Sequence, residues 1–228
     1  MYKMKSELLA EFLGSMLLVM TAVSSIIFFT IVLESHLTIA ILANSIAVAF
    51  VLFALIEMFG SVSGAHFNPV VTAVMMLDGK ITAVKAAFFV LVQIVGGVIG
   101  IIVTHLMFYE EIGGLFFVSD KVRGGWPVYF GEVVGTFVLV LTILVLVKVK
   151  STKTSLAVAF LVGGMIMSTS STMFANPQVT IARIFTATIS GVRPFDAIVF
   201  MFMQFAGGLL AYAVYKLIFP KAKDGAVE

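Results

Sequence analysis

Apolar residues fall in six long runs along this 228-residue chain, and short polar breaks separate the runs. The runs cover residues 8–33, 38–59, 81–108, 127–147, 155–173 and 194–219. Each is about 20 residues or more, which is the length an α-helix needs to cross a bilayer core of roughly 30 Å. The pattern therefore predicts an all-α membrane protein with six transmembrane helices. The connection at 109–126 is polar and Gly-rich, so we expect a loop with little regular structure there.

Two stretches near the apolar runs contain an Asn-Pro pair, in SGAHFNPVVT at 63–72 and in FANPQVT at 174–180. Asn is a preferred N-cap and Pro suits the first helical position, so each pair predicts the start of a short helix. About ten residues separate Asn68 from the Asp78-Gly79 turn, or roughly 15 Å of helix, which is half of the hydrocarbon core. We therefore expect two half-membrane, re-entrant helices whose N-termini meet at the bilayer midplane.

The two halves of the chain repeat. The segment LLAEFLGSMLLV at 8–19 matches YFGEVVGTFVLV at 129–140, and the Asn-Pro pair and a Gln followed by a Gly pair occur in both halves. Three spans per repeat is an odd number, so the second copy must cross the membrane in the opposite sense. We expect a single domain over 1–228, built from inverted repeats at about 6–108 and 127–219.

Composition narrows the classes of function. With 61% hydrophobic and 11% charged residues, almost nothing is left for a domain outside the membrane. The net charge of +2 is too small to indicate a nucleic-acid partner, and the absence of Cys excludes thiolate metal sites. No nucleophile, base and metal ligands are grouped in the sequence, so we expect no enzyme, cofactor or metal.

The Lys and Arg residues indicate the topology. If six spans are threaded, ten Lys fall on one side: Lys3, Lys5, Lys80, Lys85, Lys148, Lys150, Lys153, Lys216, Lys221 and Lys223. Three basic residues fall on the other side: Lys121, Arg123 and Arg193. The positive-inside rule then puts both termini in the cytoplasm. The first run is too long for a cleavable signal peptide, so we expect a multi-pass protein of the cytoplasmic membrane.

Two carboxylates occupy matching places inside spans, Glu11 in the first and Glu132 in the fourth. An ionisable group in a span is costly unless it is paired or hydrogen-bonded. Their symmetric placement favours a structural support that accepts backbone N–H groups from the non-helical run before each Asn-Pro pair. Proton coupling in a secondary transporter is the alternative. Glu57 has no counterpart in the second half, and we expect it at a cytoplasmic vestibule or a subunit contact.

Taken together, these motifs resemble the aquaporin, or major intrinsic protein, family. The resemblance rests on Glu11 in AEFLG, SGAHFNP, Glu132 in GEVVGTF, the second Asn-Pro pair and the Gly pairs of spans three and six. The resemblance implies a homotetramer with one pore per subunit, and a passive channel for water and small neutral solutes that excludes protons and ions. It also implies that Asn68, Pro69, Asn176 and Pro177 form the centre of the pore and that His66 lines its cytoplasmic half.

The sequence departs from the family in both motifs. The third motif residue is usually Ala, but here it is Val70 and Gln178, which we expect to alter the packing of the two helix tips more than the Asn donors. Most members carry an Arg of the selectivity filter three residues after the second Asn. In this sequence that position is Val179. We expect Arg183, one turn beyond, to pair with a carboxylate or with carbonyl groups rather than to replace it.

Family spacing assigns the selectivity filter to four small or apolar residues: Val48, Gly164, Met173 and Val179. A shift of two residues in span two would put Phe50 in place of Val48 and narrow the opening of the filter. Such a wide, apolar filter admits solutes of glycerol size, and a channel mainly for larger neutral solutes such as metalloid acids is an alternative. An ion-coupled secondary transporter, a membrane enzyme and an adhesive membrane protein with a closed pore are the other candidates.

Overall fold

A computed structural model describes residues 2–220, and Lys221 and Lys223 lie outside this range. The described residues form nine α-helices: α1 Tyr2–Ile27, α2 Leu37–Ser63, α3 Pro69–Leu77, α4 Ala83–Met107, α5 Tyr109–Ile112, α6 Trp126–Lys148, α7 Thr154–Ser168, α8 Pro177–Ala182 and α9 Pro194–Ile218. A π-helical turn at Phe28–Val32 extends α1, and a 3₁₀ turn at Arg183–Phe185 follows α8. The all-α prediction is confirmed.

The expected length of the fifth span is wrong. Five of the helices are long and apolar enough to cross a membrane, whereas α7 has only 15 residues. It ends at Ser168 because the chain must then run extended to reach the second Asn-Pro pair. Three residues of that run, Thr172, Met173 and Ala175, have left-handed φ angles of 58°, 43° and 47°, which a helix cannot contain. Residues 168–172 are five consecutive Ser and Thr residues, so the sequence carried a signal for this break, and the expected span to residue 173 ran past it.

The long helices pack in pairs that are repeated between the halves. Helix α1 packs against α4 and α2, while α6 packs against α9 and α7, and α2 contacts α7 across the centre. A Cβ at Gly96 would lie 2.4 Å from the carbonyl oxygen of Phe12, and a Cβ at Gly207 would lie 2.4 Å from that of Val133. Only glycine allows helices to approach so closely, so the first Gly of each pair fixes the corresponding helix contact.

Ion pairs show which helix ends lie on the same face. Lys85 near the start of α4 contacts Glu7 of α1 at 2.9 Å, and Lys216 near the end of α9 contacts Asp78, which caps α3, at 2.5 Å. The N-terminus of α1 and the C-terminus of α9 therefore share one face, called here the terminal face. The loop at 113–125 lies at the opposite end of α4 and α6, called here the loop face. Apart from α5, the segment at 109–125 is non-helical, as expected.

Candidate functional site

Each Asn-Pro pair starts a half-membrane helix. Asn68 is the N-cap of α3 and its side-chain oxygen accepts from Val70 N at 2.9 Å. Asn176 is the N-cap of α8 and accepts from Gln178 N at 3.2 Å. In each case the Pro that follows occupies the first turn, where its missing N–H costs nothing. The second half-helix is the shorter one, because its last turn tightens into the 3₁₀ turn at Arg183–Phe185.

The two helix N-termini meet and are cross-linked by the same Asn side chains. The Nδ2 atom of Asn68 donates to the carbonyl oxygen of Ala175 at 2.8 Å, and Nδ2 of Asn176 donates to the carbonyl oxygen of Phe67 at 2.8 Å. An amide nitrogen carries two hydrogens. Each Asn thus has one hydrogen for the opposite half and a second one for a molecule beside it.

Glu11 holds the extended run before the first pair. It is fully buried, and its Oε1 accepts from Ser63 Oγ at 2.5 Å and from His66 N at 3.0 Å. Its Oε2 accepts from Phe67 N at 2.8 Å and from Gln93 Nε2 at 2.7 Å. The carboxylate therefore meets backbone N–H groups that no helix could satisfy.

Glu132 makes the equivalent contacts in the second half. It is also fully buried, and it accepts from Phe174 N at 2.9 Å, from Ala175 N at 2.8 Å and from Gln204 Nε2 at 2.6 Å. Gln204 Nε2 also contacts Thr180 Oγ1 at 2.9 Å, which ties the carboxylate to α8. The two halves thus hold their extended runs by the same arrangement of carboxylate, backbone and Gln.

The third motif residues pack between the halves. A Cβ at Gly97 would lie 2.2 Å from Gln178 Oε1, and a Cβ at Gly208 would lie 2.3 Å from Val70 Cγ1. Gln178 Nε2 also donates to the carbonyl oxygen of Phe67 at 3.2 Å. Both side chains are buried and neither lines the central cavity, so the departures from Ala change the packing of the helix tips and leave the Asn donors in place.

A cavity of about 280 Å³ passes the two Asn side chains. Toward the terminal face its walls include Ile56 of α2 and Ile143 of α6, and toward the loop face they include Ile189. Most of the other wall residues are apolar, and they come from α1, α2, α6 and α7 and from the segments around the two Asn-Pro pairs. The Asn68 and Asn176 amides are therefore polar groups in a mainly apolar passage that continues on both sides of them.

The predicted filter residues do not all reach this cavity. Val48, Met173 and Val179 line it. Gly164 does not: it is exposed and has open space around its Cα, while Val162 and Ile166 form the α7 wall instead. The register shift that would bring Phe50 into the passage is wrong, because the Phe50 side chain is 64% exposed and lies outside the cavity.

Wall positions on α7 repeat every four residues at Val158, Val162 and Ile166. Gly164 is two residues away from this stripe, on the opposite side of the helix. Gly164 was assigned by counting back from the second Asn. That count crosses the extended run, so it cannot tell which side of α7 a residue occupies. The four-residue apolar spacing is the sequence signal that could have found the wall.

His66 and Arg183 also line the cavity, on opposite sides of the Asn pairs. His66 Nδ1 lies 3.1 Å from Thr72 Oγ1. Arg183 Nε donates to the carbonyl oxygen of Ser190 at 2.5 Å, which is one of the two kinds of partner expected for it. Among residues 2–220, no group of three or more His, Asp or Glu side chains is placed to hold a metal ion.

The wall residues that were missed as site residues include two cations and an aromatic residue: Lys121, Arg123 and Phe174. The two cations lie in the 113–125 loop, where no periodicity of the sequence indicates which way a side chain points. A signal for Phe174 was available. It precedes its Asn-Pro pair by two residues, as His66 does in the first half.

A family model described as Major intrinsic protein matches residues 1–175. This chain belongs to the major intrinsic protein family. The family resemblance of the sequence motifs is therefore confirmed, and the chain is a multi-pass membrane protein. The matched segment ends one residue before the second Asn-Pro pair, so the divergent NPQVT motif lies outside it.

Individual members agree with this assignment. Aquaglyceroporin AqpS of Rhizobium meliloti is 36% identical over 214 residues, which cover 94% of this chain and 90% of that protein. An aquaglyceroporin of Toxoplasma gondii is 29% identical over 181 residues, covering 76% of this chain and 67% of that protein. The structure of the Plasmodium falciparum aquaglyceroporin superposes with a TM-score of 0.72 at 19% identity, over 95% of this chain and 98% of that one, and confirms the fold.

Proposed function

We propose that the protein is a passive channel that conducts water and small uncharged solutes of up to glycerol size through the central cavity. One observation carries the proposal: the two half-helix N-termini meet inside a continuous, mainly apolar passage, and each Asn amide has a hydrogen left for a permeating molecule. Family membership supports a channel rather than an enzyme, and the relatives named aquaglyceroporins support glycerol as a substrate.

The meeting helix ends explain how such a passage excludes ions. Each N-terminus carries the equivalent of about half a positive charge, so the midplane repels hydronium and metal cations. A water molecule that accepts hydrogen bonds from both Asn68 and Asn176 must direct its own hydrogens outward along the passage. This orientation interrupts the chain of hydrogen bonds along which a proton would move.

The filter residues determine which neutral solutes pass. In this proposal Val48, Met173 and Val179 form an apolar constriction that carries no charge of its own. Ile166 takes the wall position assigned to Gly164, so the constriction is narrower than four small residues would make it. Glycerol has hydroxyl groups on one side and an apolar CH face on the other. It therefore matches a wall with few polar groups beside two amide donors.

The remaining assignments complete the proposal. Glu11 and Glu132 act as structural supports, and His66 is a polar wall residue of the cytoplasmic half. The terminal face is cytoplasmic, because most Lys residues lie at the helix ends there, and the loop face is external. The domain is built from two inverted repeats, and four chains assemble into a homotetramer with one pore each.

Stopped-flow light scattering on proteoliposomes of the purified protein tests this function. We expect osmotic water efflux and glycerol influx that both clearly exceed those of empty liposomes, with no glycerol accumulation when a pH gradient is imposed. Glycerol accumulation driven by the pH gradient would show an ion-coupled transporter. Fluxes no faster than those of empty liposomes would contradict the channel.

A further inference from the structure

Three cations line the loop-face end of the cavity. Lys121 and Arg123 come from the 113–125 loop, and Arg183 comes from the end of α8. No Asp or Glu among residues 2–220 lines the same cavity. Within the part of the chain that the structure describes, the mouth of the passage therefore carries uncompensated positive charge on its wall.

Neutral groups hold the two guanidinium groups. Arg123 Nε donates to the carbonyl oxygen of Gly191 and its Nη2 donates to that of Ile189, both at 2.8 Å. Arg183 donates through Nε to the carbonyl oxygen of Ser190. Across residues 2–220, no carboxylate lies within 4 Å of either guanidinium, so these contacts orient the two groups without neutralising them.

Both guanidinium groups also contact one aromatic ring. The Cζ atom of Arg183 lies 3.8 Å from the centroid of the Phe174 ring, and that of Arg123 lies 5.0 Å from it. Arg183 is only 8% exposed, and Phe174 is buried as well. Two like charges are thus fixed against one ring at the wall of a confined space, where water screens them poorly.

Two carboxylates of nearby segments are engaged elsewhere. Asp196 pairs with Arg193 at 2.7 Å and accepts from the backbone N of Arg123 and from Tyr129 Oη. Glu132 accepts from backbone N–H groups and Gln204, and it does not line the cavity. Burial lowers the pKa of Arg123 to about 10, and the Glu132 carboxylate opposes this shift, so Arg123 carries its charge at neutral pH.

We propose that the loop-face mouth holds an oxyanion-binding site in which Arg123 and Arg183 bind a small oxyanion, with Lys121 at its rim. Guanidinium groups match the geometry of planar and tetrahedral oxyanions through paired N–H donors. A narrow passage lined by one sign of charge also concentrates the opposite ion. The bound anion occupies the route of neutral solutes and therefore slows them. The position of the site rests on the proposed channel, but binding itself does not require flux.

Inorganic phosphate is the probe for both tests, at constant ionic strength. The vesicles of the flux test are made of phosphatidylcholine, whose zwitterionic headgroup carries no net charge. Isothermal calorimetry of the detergent-solubilised protein measures binding, and stopped-flow scattering measures glycerol influx. We expect saturable binding of phosphate and a saturable inhibition of glycerol influx with the same midpoint.

Variants connect the binding to the two arginines. Combining Arg123→Gln with Arg183→Gln is expected to weaken phosphate binding by at least about tenfold, or roughly 1.4 kcal/mol. Lys148→Gln combined with Lys150→Gln, the same charge change on the terminal face, is the matched control and leaves binding unchanged. Arg123→Lys with Arg183→Lys keeps both charges but loses the paired donors, so it is also expected to weaken phosphate binding.

The outcomes separate this inference from the channel proposal. Glycerol influx without phosphate binding would overturn the anion site and leave the channel intact. Phosphate binding without glycerol influx would overturn the channel proposal and leave the anion site intact. Binding that survives both double substitutions would show that phosphate attaches elsewhere, and would also overturn the site.

Discussion

At the centre of the molecule the first and second halves make the same contacts, whereas the two mouths of the cavity differ. Glu11 and Glu132 hold equivalent extended runs, and the two Asn side chains bond across to each other's half. Toward the terminal face, His66 lies beside a Thr hydroxyl, while at the loop face its counterpart Phe174 lies against two arginines.

This difference follows from what each region must satisfy. At the centre, buried backbone N–H groups need acceptors inside a membrane, and few arrangements supply them. The side chains at the mouths face the cavity, so they can change without leaving a buried N–H unpaired. The shared centre therefore reflects the fold, and the unlike mouths reflect selectivity.

The largest expected effect comes from removing either central carboxylate. Glu11→Ala and Glu132→Ala each leave two backbone N–H groups and a Gln amide without their acceptor, so we expect a loss of about 3 kcal/mol or more in unfolding free energy. Thermal unfolding in detergent measures it. Glu110→Ala removes an exposed carboxylate of α5 and is the control. If either variant is as stable as the control, or the two differ widely, the halves are not equivalent.

Glycine substitutions give a smaller effect and rank the contacts within one half. Gly96→Ala places a methyl group against a backbone oxygen, which cannot move aside, whereas Gly97→Ala meets the side chain of Gln178. Overpacking costs about 1–3 kcal/mol, and we expect Gly96→Ala at the upper end and Gly97→Ala at the lower end. Adding Gln178→Ala should restore the stability of Gly97→Ala but not that of Gly96→Ala.

The second half offers the same test. Gly207→Ala meets the carbonyl oxygen of Val133, and Gly208→Ala meets the side chain of Val70. Val70→Ala is therefore expected to rescue only Gly208→Ala. Unfolding temperatures of the single and double variants give the comparison. If Gly96→Ala or Gly207→Ala is rescued, the ranking of the two glycine contacts in that half is wrong.

The smallest effect is expected when a charge is added at Val179. Val179→Arg puts a long cation into the constriction beside Arg183, so glycerol influx should fall by about tenfold, a barrier increase of roughly 1.4 kcal/mol, with a smaller loss for water. Val179→Leu adds bulk without charge and is the control. Parallel stopped-flow measurements of both solutes provide the test, and unchanged glycerol influx would show that Val179 is not at the narrowest point.

Local rules predicted the centre of the molecule and failed further from it. Asn-Pro caps depend on neighbouring residues, and the two carboxylates stand out because they occupy matching places in the repeat, so both can be read from the sequence. The early end of α7 falls at the Ser and Thr run of residues 168–172, which the prediction ran past, whereas the cations at the loop face depend on carbonyl groups at 189–191. Such contacts join segments distant in sequence, and no periodicity reports them.

The most direct test of the account asks whether solutes pass through this cavity. Val48 and Phe50 lie two residues apart on α2, but Val48 lines the cavity and is 4% exposed, while Phe50 is 64% exposed outside it. Val48→Trp should abolish water and glycerol flux in proteoliposomes, and Phe50→Trp should leave both unchanged. Equal fluxes through the two variants would contradict conduction through the central cavity.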